Sequence, residues 1–286
     1  MTEDQNNIIL IIGGPDAGKT HFGGQLYGRL QTRTGLYRIS SPPEDLTVFK
    51  EVLENLNDGK SAGHTNVSAN NLLEMQVEDK NGIKSEFRFP DYGGEQVRTI
   101  VNDRRINKTW KEQIEKSNAW ILFIRLDKIQ PIEDIVNRGI PKQEVLENRK
   151  SNTEPMIMSS SAFYIELLQM LLYAKKVVTK QNDSIPNLTI VLSCWDLIER
   201  HVAKKTPKEI LKEKLPATYS YIDSTWNTGE YSVIGLSSTG KTLSETEKDP
   251  EYVRKGPENF GYIITSEGKK QQDLTLSIAT FIGTKK

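Results

Sequence analysis

The chain has 286 residues, 36% of them hydrophobic and 27% charged, enough apolar matter for the core of one large domain or two small ones. Lys plus Arg and Asp plus Glu balance at 38 each, which argues against nucleic acid or an acidic membrane surface as a partner held by bulk charge. The single cysteine, Cys194, excludes an internal disulfide and suits a reducing cytoplasm.

In chain order, "MTEDQNN" is polar and acidic, unlike the basic start of a signal peptide, and the expected location is cytoplasmic. "NIILIIGG" (7–14) is a β-branched run ending in glycines, the pattern of a strand buried on both faces. Residues 19 to about 33 lack proline and predict a helix. Pro42 and Pro43 open a looser stretch, 40–64, in which "EDLTVFKEVLENL" predicts a short helix. "NNLLEMQVED" and "IKSEFRFPD" predict strands joined by "KNG". Asn-Gly between strand-like runs signals a hairpin, because both residues tolerate positive φ. "DYGGEQVR" (91–98) leads into a charged helix to about Ser117, and "NAWILFIRLD" (118–127) predicts another buried strand. Residues 128–158, with Pro131, Pro141 and Pro155 among charges, read as an insertion.

From Ser159 to Val178 apolar residues recur at helical spacing, beginning with Phe163, and predict a helix. Its "AFYIELLQMLLYA" (162–174) is broken by Glu166 and Gln169 and falls short of the about 20 apolar residues a bilayer helix needs, so no membrane insertion is expected. "NLTIVLSCWD" (187–196) and "YSVIGLSS" (231–238) predict strands, and "QQDLTLSIATFIG" a final amphipathic helix. Strands alternating with helices imply an α/β fold in three layers, a mostly parallel sheet with one antiparallel strand, covered on both faces.

Two stretches match the phosphate-loop pattern G-x-x-x-x-G-K-S/T: "GGPDAGKT" (13–20) and "GLSSTGKT" (235–242). Such a loop brings backbone N–H groups close to phosphate oxygens, which glycine permits, and it uses the positive N-terminal end of the next helix. The first match has a strand before it and a helix-compatible run after it. There Lys19 would reach the β- and γ-phosphates and the Thr20 hydroxyl would ligate Mg²⁺. The second is followed by Pro250, Gly256 and Pro257, which preclude a long helix, and the remaining chain has no room for the further strands such a domain needs. "FRFPDYGGEQ" places Asp91 at a strand end and Gly94 three residues on, suited to a metal-bound water and to sensing a γ-phosphate.

With "GGPDAGKT" and "DYGGEQ" in this order, separated by a hairpin, the chain resembles the translation-factor and Ras-like (TRAFAC) class of phosphate-loop GTPases over roughly 8–283. Its second motif is close to the D-x-G-G-Q of heterotrimeric G-protein α subunits and Arf-like proteins. Within the class it looks most like bacterial TRAFAC-clade "double-GTPase" families, which are associated with predicted conflict and defence systems. The resemblance implies a single small-GTPase-like domain, 1–286, with insertions at about 40–64, 128–158 and 240–268. It places "LSCWD" at the N/T-K-x-D motif and "GLSS" at the loop that holds guanine O6 by backbone N–H groups, so the second lysine motif is a decoy. The nucleotide contacts implied are Gly13, Asp16, Ala17, Gly18, Lys19, Thr20 and His21, then Gly94, then Cys194, Asp196, Ser237 and Ser238. Thr20, Thr65 and Asp91 are implied as the Mg²⁺ set, with Thr47 the alternative to Thr65.

Three departures from the class stand out. Glu95 sits where many members carry a water-orienting glutamine, which leaves that role to Glu95 or Gln96. Ser193 and Cys194 replace the usual Asn-Lys, while Asp196 retains the carboxylate that accepts guanine N1–H and N2–H; Trp195 is either a shield for the base or core. Arg138 and Arg149 in the 128–158 insertion, and Arg98, Arg104 and Arg105, are arginine-finger candidates. His21, His64 and His201 lack the spacing of a metal site. "RKGPENFGYIITSEGKK" shows no RNA-binding module, and no nucleic-acid partner is expected.

The expected function is a GTPase switch that takes GTP·Mg²⁺ to GDP and phosphate, with a protein partner or effector and scope for a homo-oligomer. The rivals are a GTP-binding module without turnover of its own, an ATPase, and a subunit whose nucleotide is a folding ligand.

Overall fold

The computed structural model describes residues 7–31, 37–41, 43, 45–63, 72–90, 95–129, 158–177, 185–197, 205–227 and 230–282. Among them one sheet contains β1 (Asn7–Gly13), β2 (Tyr37–Ser41), β3 (Leu72–Asp79), β4 (Lys84–Pro90), β5 (Ala119–Arg125), β6 (Asn187–Ser193), β7 (Tyr231–Ser237), β8 (Tyr262–Ile264) and β9 (Lys270–Gln271). Their order is β2-β3-β4-β1-β5-β6-β7-β8-β9. The unbroken apolar run of β1 explains its central place. Ile9 and Ile11 enter one hydrophobic cluster while Leu10 and Ile12 enter the other, so neither face can be left to water.

The cluster on the Ile9 side is closed by α1 (Lys19–Gln31), α2 (Thr47–Asn57) and, through Ile278, a C-terminal helix at Leu276–Ile282. The opposite cluster is closed by α3 (Glu95–Asp103), α4 (Lys108–Lys116), α5 (Ser160–Ala174), α6 (Pro207–Lys214) and α7 (Pro216–Trp226). Trp120 of β5 and Trp226 of α7 meet edge-on there, ring centroids 6.5 Å apart. This is the expected three-layer α/β arrangement.

Four features refine the sequence reading. The hairpin forms as expected, β3 antiparallel to β4 across a turn in which Asp79 Oδ1 accepts the Asn81 and Ile83 N–H groups at 2.8 Å. The sheet, however, reverses direction at two strands, not one: β8 also runs antiparallel to β7. It comes from the stretch read as an insertion at about 240–268, and its three residues were too few to show a period. The single charged helix expected up to Ser117 is two helices. Arg104 turns to φ +51°, and Asn107 caps α4 by accepting the Trp110 N–H at 2.8 Å, which starts a new axis. Finally, the stretches 40–64 and 240–268 dock on each other. Ser61 N–H donates to Ser244 O and Asp249 N–H to Gly59 O, both at 3.0 Å. Val52 and Leu56 of α2 form a small cluster with Leu243 and with Tyr252 of α8 (Pro250–Lys255). The C-terminal helix is α9.

β1, β4, β5, β6 and β7 are mutually parallel, so their carboxyl ends line one edge of the sheet. The described loops after β1, β5, β6 and β7 are brought together at that edge, where ligands bind in open α/β sheets.

Candidate functional site

The loop between β1 and α1 has the geometry of an anion cradle. Gly13 lies so close to β5 that a Cβ there would stand 2.9 Å from Phe123 Cβ, whereas a Cβ at Gly14 would meet nothing. Gly14 thus leaves one side of the loop open. Asp16 (φ +57°) and Gly18 (φ +82°) are both left-handed, which curls the chain between them. Ala17 is buried and joins the core cluster on the α1 side. Gly18 O accepts the Phe22 N–H at 3.0 Å, so the first turn of α1 begins within the loop.

Lys19 turns back over the loop, its Nζ donating to Gly13 O at 2.8 Å and Gly14 O at 2.9 Å. Among the described residues it has no carboxylate within ion-pairing distance. Burial therefore lowers its pKa to about 8, partly offset by the more distant charge of Asp16. The half-buried Lys19 ammonium thus meets two neutral carbonyls of the loop. Thr20 is the second residue of α1. His21 follows, and its Nε2 accepts the Ala62 N–H at 3.2 Å, which fixes the neutral ring with its proton on Nδ1. Burial first, and Arg125 second, hold its pKa below the usual value.

The residues that the resemblance implies for the base come next along the edge. β6 ends at Ser193, whose Cβ lies 3.9 Å from where a Cβ on Gly18 would stand, so this strand end abuts the phosphate loop. Cys194 is left-handed (φ +56°), and burial pushes its thiol up to about 11, which makes it a neutral thiol rather than a nucleophile. Asp196 lies half-buried on the short turn Trp195–Leu197. Trp195 is core: it is 3% exposed, and its ring would lie 2.4 Å from a Cβ at Gly235. It does not shield a base. The Ser237 side chain accepts the Gly240 N–H at 2.9 Å, and the half-buried Ser238 follows it.

The second motif match shares the preceding strand and a left-handed glycine, Gly240 (φ +74°), but has neither the helix nor the inward lysine. Residues 241–249 form no helix. Lys241 points outward to Asp249 at 2.7 Å and Glu251 at 3.1 Å, and lies 5.2 Å from the Phe260 ring centroid.

Thr65, Asp91, Gly94, Arg138, Arg149, His64 and His201 lie outside the described residues, and Glu95 is the first residue of α3. Thr47, the alternative to Thr65, begins α2, its N–H donating to Asp45 Oδ1 at 2.8 Å. Gln96 Oε1 accepts the Trp110 indole N–H at 3.0 Å, joining α3 to α4. Arg104 pairs with Glu166 at 2.7 Å. Of the implied Mg²⁺ set only Thr20 is described, and no cluster of three or more His, Cys, Asp or Glu suited to a metal occurs among the described residues. No described helix is long and apolar enough to cross a membrane. Two site neighbours had escaped the sequence reading. Arg125 ends β5 beside the loop, and Tyr262 stands opposite Ser237 with its phenol pushed up to about 12 by burial and by the charge of Asp196. Neither belongs to a motif; only the strand pairing puts them at this edge.

Among solved structures the chain is similar to the Arl6 BBS3 small GTPase from Trypanosoma brucei with bound GppNp, at 12% identity over 82% of this chain and 88% of that one, TM-score 0.39. It is similar to the bacterial selenocysteine-specific elongation factor EF-Sec at 14% identity, covering 82% of this chain and 26% of that one, TM-score 0.36. It is also similar to the S. cerevisiae Ski7 GTPase-like domain bound to GDP and inorganic phosphate, at 16% identity over 87% and 48%, TM-score 0.39. Comparison with curated protein sequences gives no match. The Double-GTPase 1 family model matches residues 10–281, and the chain belongs to that family.

Proposed function

We propose that this protein is a GTPase switch: as a single G domain, 1–286, it binds GTP with Mg²⁺ and hydrolyses it to GDP and phosphate. The observation that carries the reading is Lys19, whose ammonium is drawn into a loop of backbone groups with no described carboxylate to neutralise it. Family membership supports the choice of nucleotide.

In this reading a water oxygen bonds to the γ-phosphorus as the bond from that phosphorus to the β–γ bridging oxygen breaks; the bonding electrons stay with GDP, and the water's protons leave with the phosphate. Lys19 and the loop N–H groups meet that developing charge. Mg²⁺, when bound, neutralises phosphate charge, and Thr20, Thr65 and a water on Asp91 would hold it. The Gln96 oxygen is engaged by Trp110, so the task of orienting water falls to Glu95. Asp196 accepts from the guanine N1–H and N2–H, and the backbone of Ser237 and Ser238 donates to O6. Loss of the γ-phosphate releases the contacts of Thr65 and Gly94 and thereby those of a protein partner. A cytoplasmic setting, assembly with a second copy and a part in a bacterial defence system belong to the same proposal, the last on resemblance alone.

The test is binding of GTP, GDP and ATP with Mg²⁺ to the purified protein, with phosphate release followed in the same samples. Guanine preference with release is the expected result. Tight GTP binding without release would make the protein a partner-completed switch, and equal ATP binding would remove Asp196 from base recognition.

A further inference from the structure

β5 leaves the sheet through three charged residues, Arg125, Asp127 and Lys128, and two of them reach the phosphate loop. Arg125 is the last residue of β5, its Cα opposite that of Ser193. Its Nη1 donates to the Asp16 carbonyl at 3.0 Å. Its Nε and Nη2 donate to the two carboxylate oxygens of Asp127 at 2.7 and 3.0 Å, a forked pair that fixes the plane of the guanidinium. Lys128 Nζ lies 2.9 Å from Asp16 Oδ2. One short segment therefore grips both the backbone and the side chain of a single loop residue.

That residue is in a left-handed conformation, φ +57°. Aspartate tolerates that region better than most side chains but less readily than glycine, so the surroundings must hold it there. Asp16 lies three residues before Lys19, so its dihedrals set where the following amides point. An exposed ion pair contributes little by itself. Here the Asp127 carboxylate serves to aim the Arg125 guanidinium, and its target is a neutral carbonyl in the loop. The same guanidinium is close enough to His21 and to Cys194 to influence both, which places it between the phosphate-side and base-side loops.

We infer that Arg125, aligned by Asp127 and assisted by Lys128, is a positioning residue for the phosphate loop: it holds Asp16 left-handed, so that the amides of residues 16–20 are aimed at an anion before one arrives. This rests on reading residues 13–20 as a nucleotide site.

The test is hydrogen–deuterium exchange on the ligand-free full-length protein, with GDP affinity measured in parallel. Arg125→Gln is expected to speed exchange of the 13–20 peptide about tenfold and to weaken GDP by a similar factor, while β1 and β6 amides keep their protection. Arg125→Lys, which keeps the charge but not the fork, falls between. Lys128→Met loosens the loop in the wild-type background and adds nothing in Asp16→Asn, since asparagine still tolerates the left-handed region but offers no carboxylate. Unchanged loop exchange in Arg125→Gln, or equal loosening of loop and core, overturns the inference. So does additivity of the Lys128 and Asp16 substitutions. If the wild type fails to bind guanine nucleotides while the exchange pattern holds, the proposed function falls and the positioning role stands.

Discussion

Residues 13–20 and 235–242 share the same spacing of glycine, lysine and threonine, and the fold uses them in opposite ways. In the first, Lys19 folds inward onto the Gly13 and Gly14 carbonyls, at the N-terminus of a 13-residue helix. In the second, Lys241 swings outward to Asp249 and Glu251, and no helix follows at once. Both loops leave parallel strands at the same edge, so the strand alone is not what distinguishes them. The difference lies in what comes after. A helix supplies converging N–H groups and a positive end, whereas a turn closed by Ser237 Oγ uses its amide on itself. A phosphate-loop pattern is thus a statement about chain direction as much as about residue type.

The largest expected effect tests that difference directly. Lys19→Ala should weaken GTP by about 3 kcal/mol, roughly 100-fold, while Lys241→Ala leaves affinity within about twofold. Isothermal titration of both variants reads it; equal losses would mean that the two loops share the nucleotide.

Next comes the base end. Asp196→Asn should cost about 2 kcal/mol for GTP, about thirtyfold, and recover binding to xanthosine triphosphate, because asparagine can donate to the xanthine O2 where aspartate cannot. Unchanged GTP affinity would show that the turn after β6 does not read the base.

The two left-handed glycines sharpen the contrast. Gly18 and Gly240 have φ +82° and +74°, so alanine at either is strained by roughly 1–2 kcal/mol. A Cβ at Gly18 meets only Ser193 at 3.9 Å, while one at Gly240 stands 2.8 Å from Gly261 N. Gly18→Ala should therefore appear as about tenfold weaker nucleotide binding, and Gly240→Ala as a melting temperature lower by a few degrees with affinity retained.

The smallest effect is a pH dependence confined to the first loop. Lys19 is depressed to about 8 in the free protein, and a bound phosphate would raise it, so binding takes up a proton where the free lysine is partly neutral. Affinity is then full below about pH 7 and falls as pH rises through 8, by about fourfold between about pH 7 and pH 8.5. Titrations in buffers of different ionisation enthalpy should report proton uptake that Lys19→Met abolishes.

Much of this fold was legible from residue order. The unbroken run Ile8–Ile12 required burial on two faces, and the Asn81–Gly82 turn required the β3–β4 hairpin. β8 was not legible, because three residues carry no period; it exists because β7 offers an edge for pairing. The break at Arg104 was hidden for a related reason: an Asn107 cap differs from a helical asparagine only once the chain has turned.

At the site, sequence by itself determined the chemistry available: a lysine between a predicted strand and a predicted helix, the threonine that follows it, and the carboxylate of Asp196 three residues past a strand end. Spacing and residue type carry that information because covalent geometry fixes the reach of neighbouring groups. Only the tertiary structure decided that Lys241 turns outward to Asp249 and Glu251, that Trp195 belongs to the core, and that Arg125 grips Asp16 from 109 residues away. Those outcomes depend on strand pairing and packing between distant segments, which local spacing does not encode.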